Sequence, residues 1–157
     1  MFKMNGDIKF FYDGNKPADI RLALSKTELL RDEALETAVL ISLFSDARAG
    51  DEDTLPDKNG NRRGWWGDSL NDISVGSKYW ILGRTKITSR TTDLIEQYTQ
   101  DALAWLVSDG VADRVEVEAR RNGIYRIDTA VKIVKTDNTN VFFRFFLNWE
   151  SQIYGGF

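Results

Sequence analysis

The side chains of this sequence that could do chemistry are its carboxylates. There are 24 Asp and Glu in 157 residues, with no His and no Cys. Without imidazole or thiol there is no serine–histidine triad, no thiolate nucleophile and no histidine- or cysteine-based zinc site. No P-loop, dinucleotide fingerprint or EF-hand loop is present. The run Asp51-Glu52-Asp53 lacks the glycine and terminal glutamate of a calcium loop and reads as a solvated acidic stretch. No cofactor, metal or catalytic residue is therefore expected. What the composition leaves open is glycoside hydrolysis, which needs two carboxyls flanking a sugar bond at about 5 to 9.5 Å. With 24 acids some pair meets that spacing in any fold, so the count singles out no site.

The second group with chemical character is Arg62-Arg63-Gly64-Trp65-Trp66-Gly67-Asp68. Its paired indoles have three readings: buried anchors that pin a loop, contact residues for another protein flanked by Arg62 and Arg63, or a sugar-stacking platform. The segment lies in a stretch, residues 46–72, that is rich in Gly, Asp and Asn. Its seven acids and four bases give −3, equal to the formal charge of the whole chain. A loop longer than about 15 residues is uncommon in a compact domain unless it is functional or disordered. Two indoles argue for order against something.

The elements that position these groups follow from hydrophobic period. Residues 7–14 and 18–24 read as a hairpin. Leu35, Ala38, Val39, Ser42 and Leu43 fall on one helical face. That helix starts either at Asp32 or earlier, after the capping-box pattern Ser25-Lys26-Thr27-Glu28, and ends near Phe44. Residues 77–82 form one or two helical turns. A second helix is expected over 93–107, with Asp93 and Glu96 at capping-box spacing and Gly110 just past its end. Its core stripe is Leu94, Ile95, Tyr98, Ala102, Trp105 and Leu106. Three strands then alternate over 114–119, 127–133 and 141–149, joined by Asn122-Gly123 and by Asp137-Asn138-Thr139-Asn140. The fold class is α+β: an antiparallel N-terminal hairpin and C-terminal three-strand meander packed with two main helices. In the last strand Phe142, Arg144 and Phe146 face away from the stripe at Val141, Phe143, Phe145, Leu147 and Trp149, so both faces carry aromatics. Such a strand is covered twice or binds a partner.

The near balance of 21 bases and 24 acids gives no general attraction for a polyanion, so no nucleic-acid partner is expected. No apolar run nears the roughly 20 residues that span a bilayer, so no membrane partner is expected either. The start of the chain lacks a signal-peptide block, which suggests a soluble protein made in a cytoplasm.

Five ordered blocks carry a family resemblance: residues 36–49, Leu55-Pro56-Asp57, residues 62–68 as quoted above, Gly76-Ser77-Lys78-Tyr79-Trp80-Ile81-Leu82, and residues 102–112. Over about residues 18–150 the chain resembles the gene 46 tail baseplate proteins of Mu-like phages, a family similar in turn to the lysozyme-like sheath-initiator wedge proteins of contractile tails. The resemblance implies a non-enzymatic virion protein of the tail baseplate, acting as one baseplate-wedge domain over 1–157 with a long ordered loop at about 46–76. It implies six copies around the tail tube, docked on other wedge proteins and meeting the tail sheath. Protein-interface residues are then expected at Arg62, Arg63, Trp65, Trp66, Asp68, Phe142, Arg144 and Phe146, with strand 141–149 as the edge for pairing. Where sheath initiators carry a Glu-Pro-Arg triplet, this chain reads Ala112-Asp113-Arg114. The rival readings are a carboxylate-based peptidoglycan hydrolase and a carbohydrate-binding module using Trp65 and Trp66.

Overall fold

The computed structural model describes residues 7–11, 19–23, 29–57, 60–65, 68, 74–148 and 153–156. In chain order the elements are β1 (Asp7–Phe11), β2 (Asp19–Ala23), α1 (Leu29–Phe44), a 3-10 helix (Tyr79–Arg84), α2 (Ser89–Leu103), α3 (Trp105–Ser108), β3 (Ala112–Asn122), β4 (Arg126–Lys135), β5 (Asn140–Asn148) and β6 (Ile153–Gly156). They fall into two compact units, Met1–Ile41 and Ser42–Phe157.

In the first unit β1 and β2 pair antiparallel, with Ile8 opposite Leu22 and Phe10 opposite Ile20. This is the hairpin expected from the alternation. Helix α1 takes the earlier of its two expected starts, at Leu29. Leu35, Val39 and Leu43 form its buried stripe at four-residue spacing, while Ile41 on another face is exposed.

The second unit is an antiparallel sheet in the order β3-β4-β5-β6, with helices against β3. Strand β4 supplies its spine. Ile127, Thr129, Val131 and Ile133 are all buried on one face, as the alternation requires. Each such apolar side chain is worth about 1.5–3 kcal/mol of burial. A one-residue slip would move the whole set to the other face, so register is strongly specified. Phe145 and Leu147 of β5 extend the same buried face, and Ala112 and Ala119 of β3 complete it. From the helical side come Ile95, Thr99, Leu103 and Leu106, and from the 3-10 helix Tyr79, Trp80, Ile81 and Leu82. Phe44 meets Phe145 edge-on at 5.6 Å between ring centroids, and Tyr79 lies 6.2 Å from Phe145.

Three sequence expectations need correction. Helix α2 begins at Ser89, four residues before Asp93, because Thr88 and Thr91 form the capping box. The Thr88 hydroxyl accepts from Thr91 N at 3.3 Å, and the Thr91 hydroxyl accepts from Thr88 N at 3.2 Å. Threonine at the third helical position thus does what glutamate usually does. The helix is also interrupted at Ala104, where α3 takes over, so the stripe is two segments. Its end is as expected. Gly110, at φ +71°, lets Val111 N reach Leu106 O at 2.9 Å and Gly110 N reach Val107 O at 3.1 Å, the paired bonds of a Schellman motif. Finally, the meander is not the end of the sheet, because β6 adds to β5 with Leu147 opposite Tyr154 and Phe146 opposite Gly155. Two tail glycines hid that strand, since glycine carries no strand signal.

Among the described residues one buried hydroxyl is orphaned. Thr129 is 2% exposed and its Oγ1 has no hydrogen-bond partner among the described residues. Replacing it with the isosteric valine removes an unsatisfied donor and adds a methyl to the core. Thr129→Val is expected to raise unfolding free energy by about 1 kcal/mol in a urea titration, with an unchanged denaturant slope.

Candidate functional site

The loop after α1 is closed at its base by backbone pairing. Asp46 and Ser77 form an isolated parallel bridge, in which Ala47 N donates to Ser77 O and Ser77 N to Ser45 O, both at 2.9 Å. The Ser77 hydroxyl adds a bond to Leu43 O at 2.6 Å, and Trp80 Nε1 donates to Ala47 O at 2.8 Å. Beneath the loop Ala49, Trp80 and Ile81 form a small apolar cluster with Leu55 against it.

The expected arginines are held by this loop. Arg62 donates through Nη1 to Gly50 O, and its Nη2 lies 3.6 Å from Asp51 Oδ1. Arg63 ion-pairs with Asp46 at 2.6 Å and lays its guanidinium over the Trp80 ring, 4.9 Å from the centroid. Exposed pairs of this kind add about 1 kcal/mol at most, whereas a cation over an indole adds geometric definition. Arg63 takes φ +46°, a left-handed conformation, and the following Gly64 lies at φ +109°, where a Cβ would come within 3.1 Å of Arg48 Cβ. Together they turn the chain so that Trp65 emerges 42% exposed. Trp66 lies outside the described residues. Asp68 sits inside the loop rather than on its outer surface: Val75 N donates to its Oδ1 at 3.0 Å, and Trp65 N and Ser74 Oγ to its Oδ2 at 3.3 and 3.4 Å. It therefore holds Trp65 in place.

Sequence reasoning missed Asp53 and Lys78, which clasp the loop to the 3-10 helix. Lys78 Nζ is 2.7 Å from Asp53 Oδ2, an oxygen that also accepts from Gly50 N at 2.7 Å. Burial pushes the Asp53 carboxyl up, but Lys78, the Gly50 N–H and Arg62 together outweigh it and hold it below its ordinary value. A carboxyl lowered in the folded state contributes stability above its unfolded value and loses it as pH falls through the folded value. Asp53→Asn is thus expected to lower the unfolding temperature at pH 7, with the deficit closing in acid below the usual carboxylate range, as thermal scans across pH would show.

The second expected cluster lies on the outer face of the sheet. Phe142 is 67% exposed, Arg144 is exposed, and Phe146 is half-buried under Arg126, whose guanidinium stands 4.4 Å from its ring centroid. Ala130, facing Arg144 across the β4–β5 register, is too small to fill its place. The result is a shallow concavity of about 280 Å³ lined by Ala130, Phe142, Arg144, Lys132, Glu116 and Glu118. Glu116 bonds Arg114 and Lys132, and these partners hold its carboxyl below the ordinary value.

The two sides of the sheet differ as pairing edges. Along β3, Ala119 N points outward and donates to Glu96 Oε1 of α2 at 2.7 Å, so a carboxylate occupies that position. Glu96 was expected at a helix cap; the structure makes it an edge cover, a common device against unwanted strand addition. Along β5, β6 covers Phe145–Asn148 only, and on the side away from β4 residues 140–144 have no strand beside them among the described residues.

Nothing among the described residues gathers three or more metal-ligating side chains. Their shifted carboxyls, Asp53, Glu116 and Asp137, are all lowered, the opposite of what a proton-donating glycosidase acid requires. No helix among these residues is long and apolar enough to cross a membrane.

The chain is thus a small α+β protein with a closed arginine–tryptophan loop and an antiparallel sheet that is open along part of one strand. It belongs to the family described as Phage protein GP46, whose profile matches residues 35–140. It is 44% identical over 100 residues to the baseplate protein gp46 of Escherichia phage Mu, covering 64% of this chain and 69% of that one. It is 38% identical over 129 residues to the Mu-like prophage FluMu protein gp46 of Haemophilus influenzae, covering 82% of this chain and 88% of that one.

Proposed function

We propose that this protein is a structural, non-catalytic component of a contractile phage tail baseplate, which docks on wedge subunits and helps to initiate the tail sheath. The observation that carries this reading is its 44% identity to a protein of phage Mu named for the baseplate. Arg62, Arg63, Trp65 and Trp66 form the face toward a neighbouring wedge subunit, with Asp68 bracing Trp65 from within. The outer face at Phe142, Arg144 and Phe146, together with the open half of β5, meets the sheath. There an extended segment pairs with residues 140–144 through main-chain bonds while its side chains rest on Phe142 and Ala130. The six copies encircle the tube, and residues 1–157 act as one wedge domain with the loop at 46–76 ordered in that setting. The site of action is the virion baseplate, after synthesis in the bacterial cytoplasm.

Co-expression with the wedge and sheath proteins encoded beside it is the test. A stable complex by size-exclusion chromatography, weakened at least tenfold by the double change Trp65→Ala, Trp66→Ala, is the expected result. Failure to form any complex, or clearing of peptidoglycan in a zymogram by the purified chain, would overturn it.

A further inference from the structure

The β3–β4 hairpin ends in a feature that the reading above does not use. Its three-residue turn, 123–125, joins Asn122 to Arg126, and two of those residues are Ile124 and Tyr125, 68% and 51% exposed. Turn tips are ordinarily made of Gly, Asn, Asp, Ser and Pro, residues that suit both tight backbone and water. Here only Gly123, at φ +78°, does so. The tip is also fixed in shape. Asn122 Nδ2 donates to Asp128 Oδ2, Arg126 Nε to Asp128 Oδ1, and Arg121 Nε to Gly123 O at 2.8 Å, so both strands are tied just below the turn.

The charges beneath the tip are unequal. Arg120 is paired with Glu118 and Arg126 with Asp128, whereas Arg121 faces no carboxylate among the described residues and donates only to the turn carbonyl. The tip therefore presents a branched aliphatic side chain, a phenol and a guanidinium with no carboxylate partner among the described residues, on a tied support. Tyrosine and arginine are the types that dominate protein contacts, and a preordered support lowers the entropy lost on docking.

We propose that this hairpin tip is a docking knob, with Ile124 and Tyr125 entering an apolar socket on a neighbouring protein subunit whose rim carries a carboxylate for Arg121. The inference rests on the assembly role proposed above and assigns a third contact region to it, separate from the loop and from β5. A lipid surface fits less well, because one cation, one aliphatic side chain and one phenol give too little attraction to hold a chain there.

The test uses tails from an induced prophage whose own copy of the gene is replaced by variants. The double change Ile124→Ser, Tyr125→Ser is expected to lower the chain's content in gradient-purified tails at least about tenfold, and Arg121→Glu about threefold. Both sites are exposed, so both variants should unfold within about 2 °C of wild type. Where a variant fails to fold, a photo-crosslinker placed at Tyr125 decides: linkage in assembled tails to a tail protein, at a peptide bearing Asp or Glu, supports the socket. Linkage to no tail protein overturns it. Wild-type content for folded variants overturns the knob and leaves the assembly role standing, whereas absence of the wild-type chain from tails overturns both. Sedimentation of wild type, but not of the double variant, with phosphatidylcholine–phosphatidylglycerol vesicles would also overturn it, in favour of lipid.

Discussion

Gly76→Ala is expected to lower the unfolding temperature by roughly 10 °C, corresponding to about 3 kcal/mol in a chain of this size. Gly76 lies at φ +117°, outside the range that residues with a Cβ adopt. A Cβ there would sit 2.5 Å from Ser45 O and 2.8 Å from Ala47 N, both backbone atoms that have no flexible end to swing away. Those same residues make the paired bonds with Ser77 that close the loop, and Ala47 O receives the Trp80 indole. Relief of the clash therefore requires the strand-like bridge to part. Several hydrogen bonds and the Trp80 packing weaken together, which is why the effect exceeds the roughly 1 kcal/mol of an ordinary Gly→Ala backbone mismatch. Calorimetry measures the shift directly. An unfolding temperature within about 2 °C of wild type would mean that the bridge does not constrain the loop.

Phe145→Ala is expected to be the most destabilising single truncation of the sheet, by about 4 kcal/mol. The side chain is 3% exposed and forms the hub between Phe44 at 5.6 Å and Tyr79 at 6.2 Å. Its loss removes the burial of a large ring, opens a cavity, and abolishes two aromatic contacts worth about 0.5–1.5 kcal/mol each. Tyr79 cannot move in to fill the space freely, because its hydroxyl is held by Thr99, whose own hydroxyl donates to Ile95 O at 2.6 Å. The neighbouring Phe142, 67% exposed, supplies the internal comparison. Phe142→Ala is expected to change stability by no more than about 0.5 kcal/mol, while weakening sheath pairing if the proposed role holds. Equal losses in the two variants, read from urea titrations, would contradict the facing of β5.

The alternation of β4 and the four-residue spacing of Leu35, Val39 and Leu43 make those elements legible in the sequence, because both record burial on one face. The α+β class, the N-terminal hairpin, the meander and the Gly110 helix stop followed from such patterns. What escaped depended on partners distant in sequence. Thr99 is fully buried at the centre of the α2 stripe, yet as a polar residue it gives no core signal, whereas Leu94 and Tyr98, which do, are only half-buried. The start of α2 differs from the expected one because Thr91 imitates a glutamate through its own hydroxyl. Strand β6 escaped because pairing with β5, not side-chain preference, makes it a strand. Arg62, Arg63 and Trp65 were legible as an unusual cluster, but Asp68 turned out to brace that cluster from inside. Neither the Asp53–Lys78 clasp nor the outward-facing Ile124 and Tyr125 carried a local signal, since apolar residues at a turn look like the beginning of the next strand.

The central claim is that this chain is a fixed part of the tail's distal end. Cryo-electron microscopy of tails purified from induced cells addresses it most directly. The prediction is density at the baseplate that matches the β3–β6 sheet and the closed loop, repeated around the tube and in contact with wedge and sheath subunits. A baseplate map complete without such density, from tails whose genome encodes the intact gene, would contradict the account.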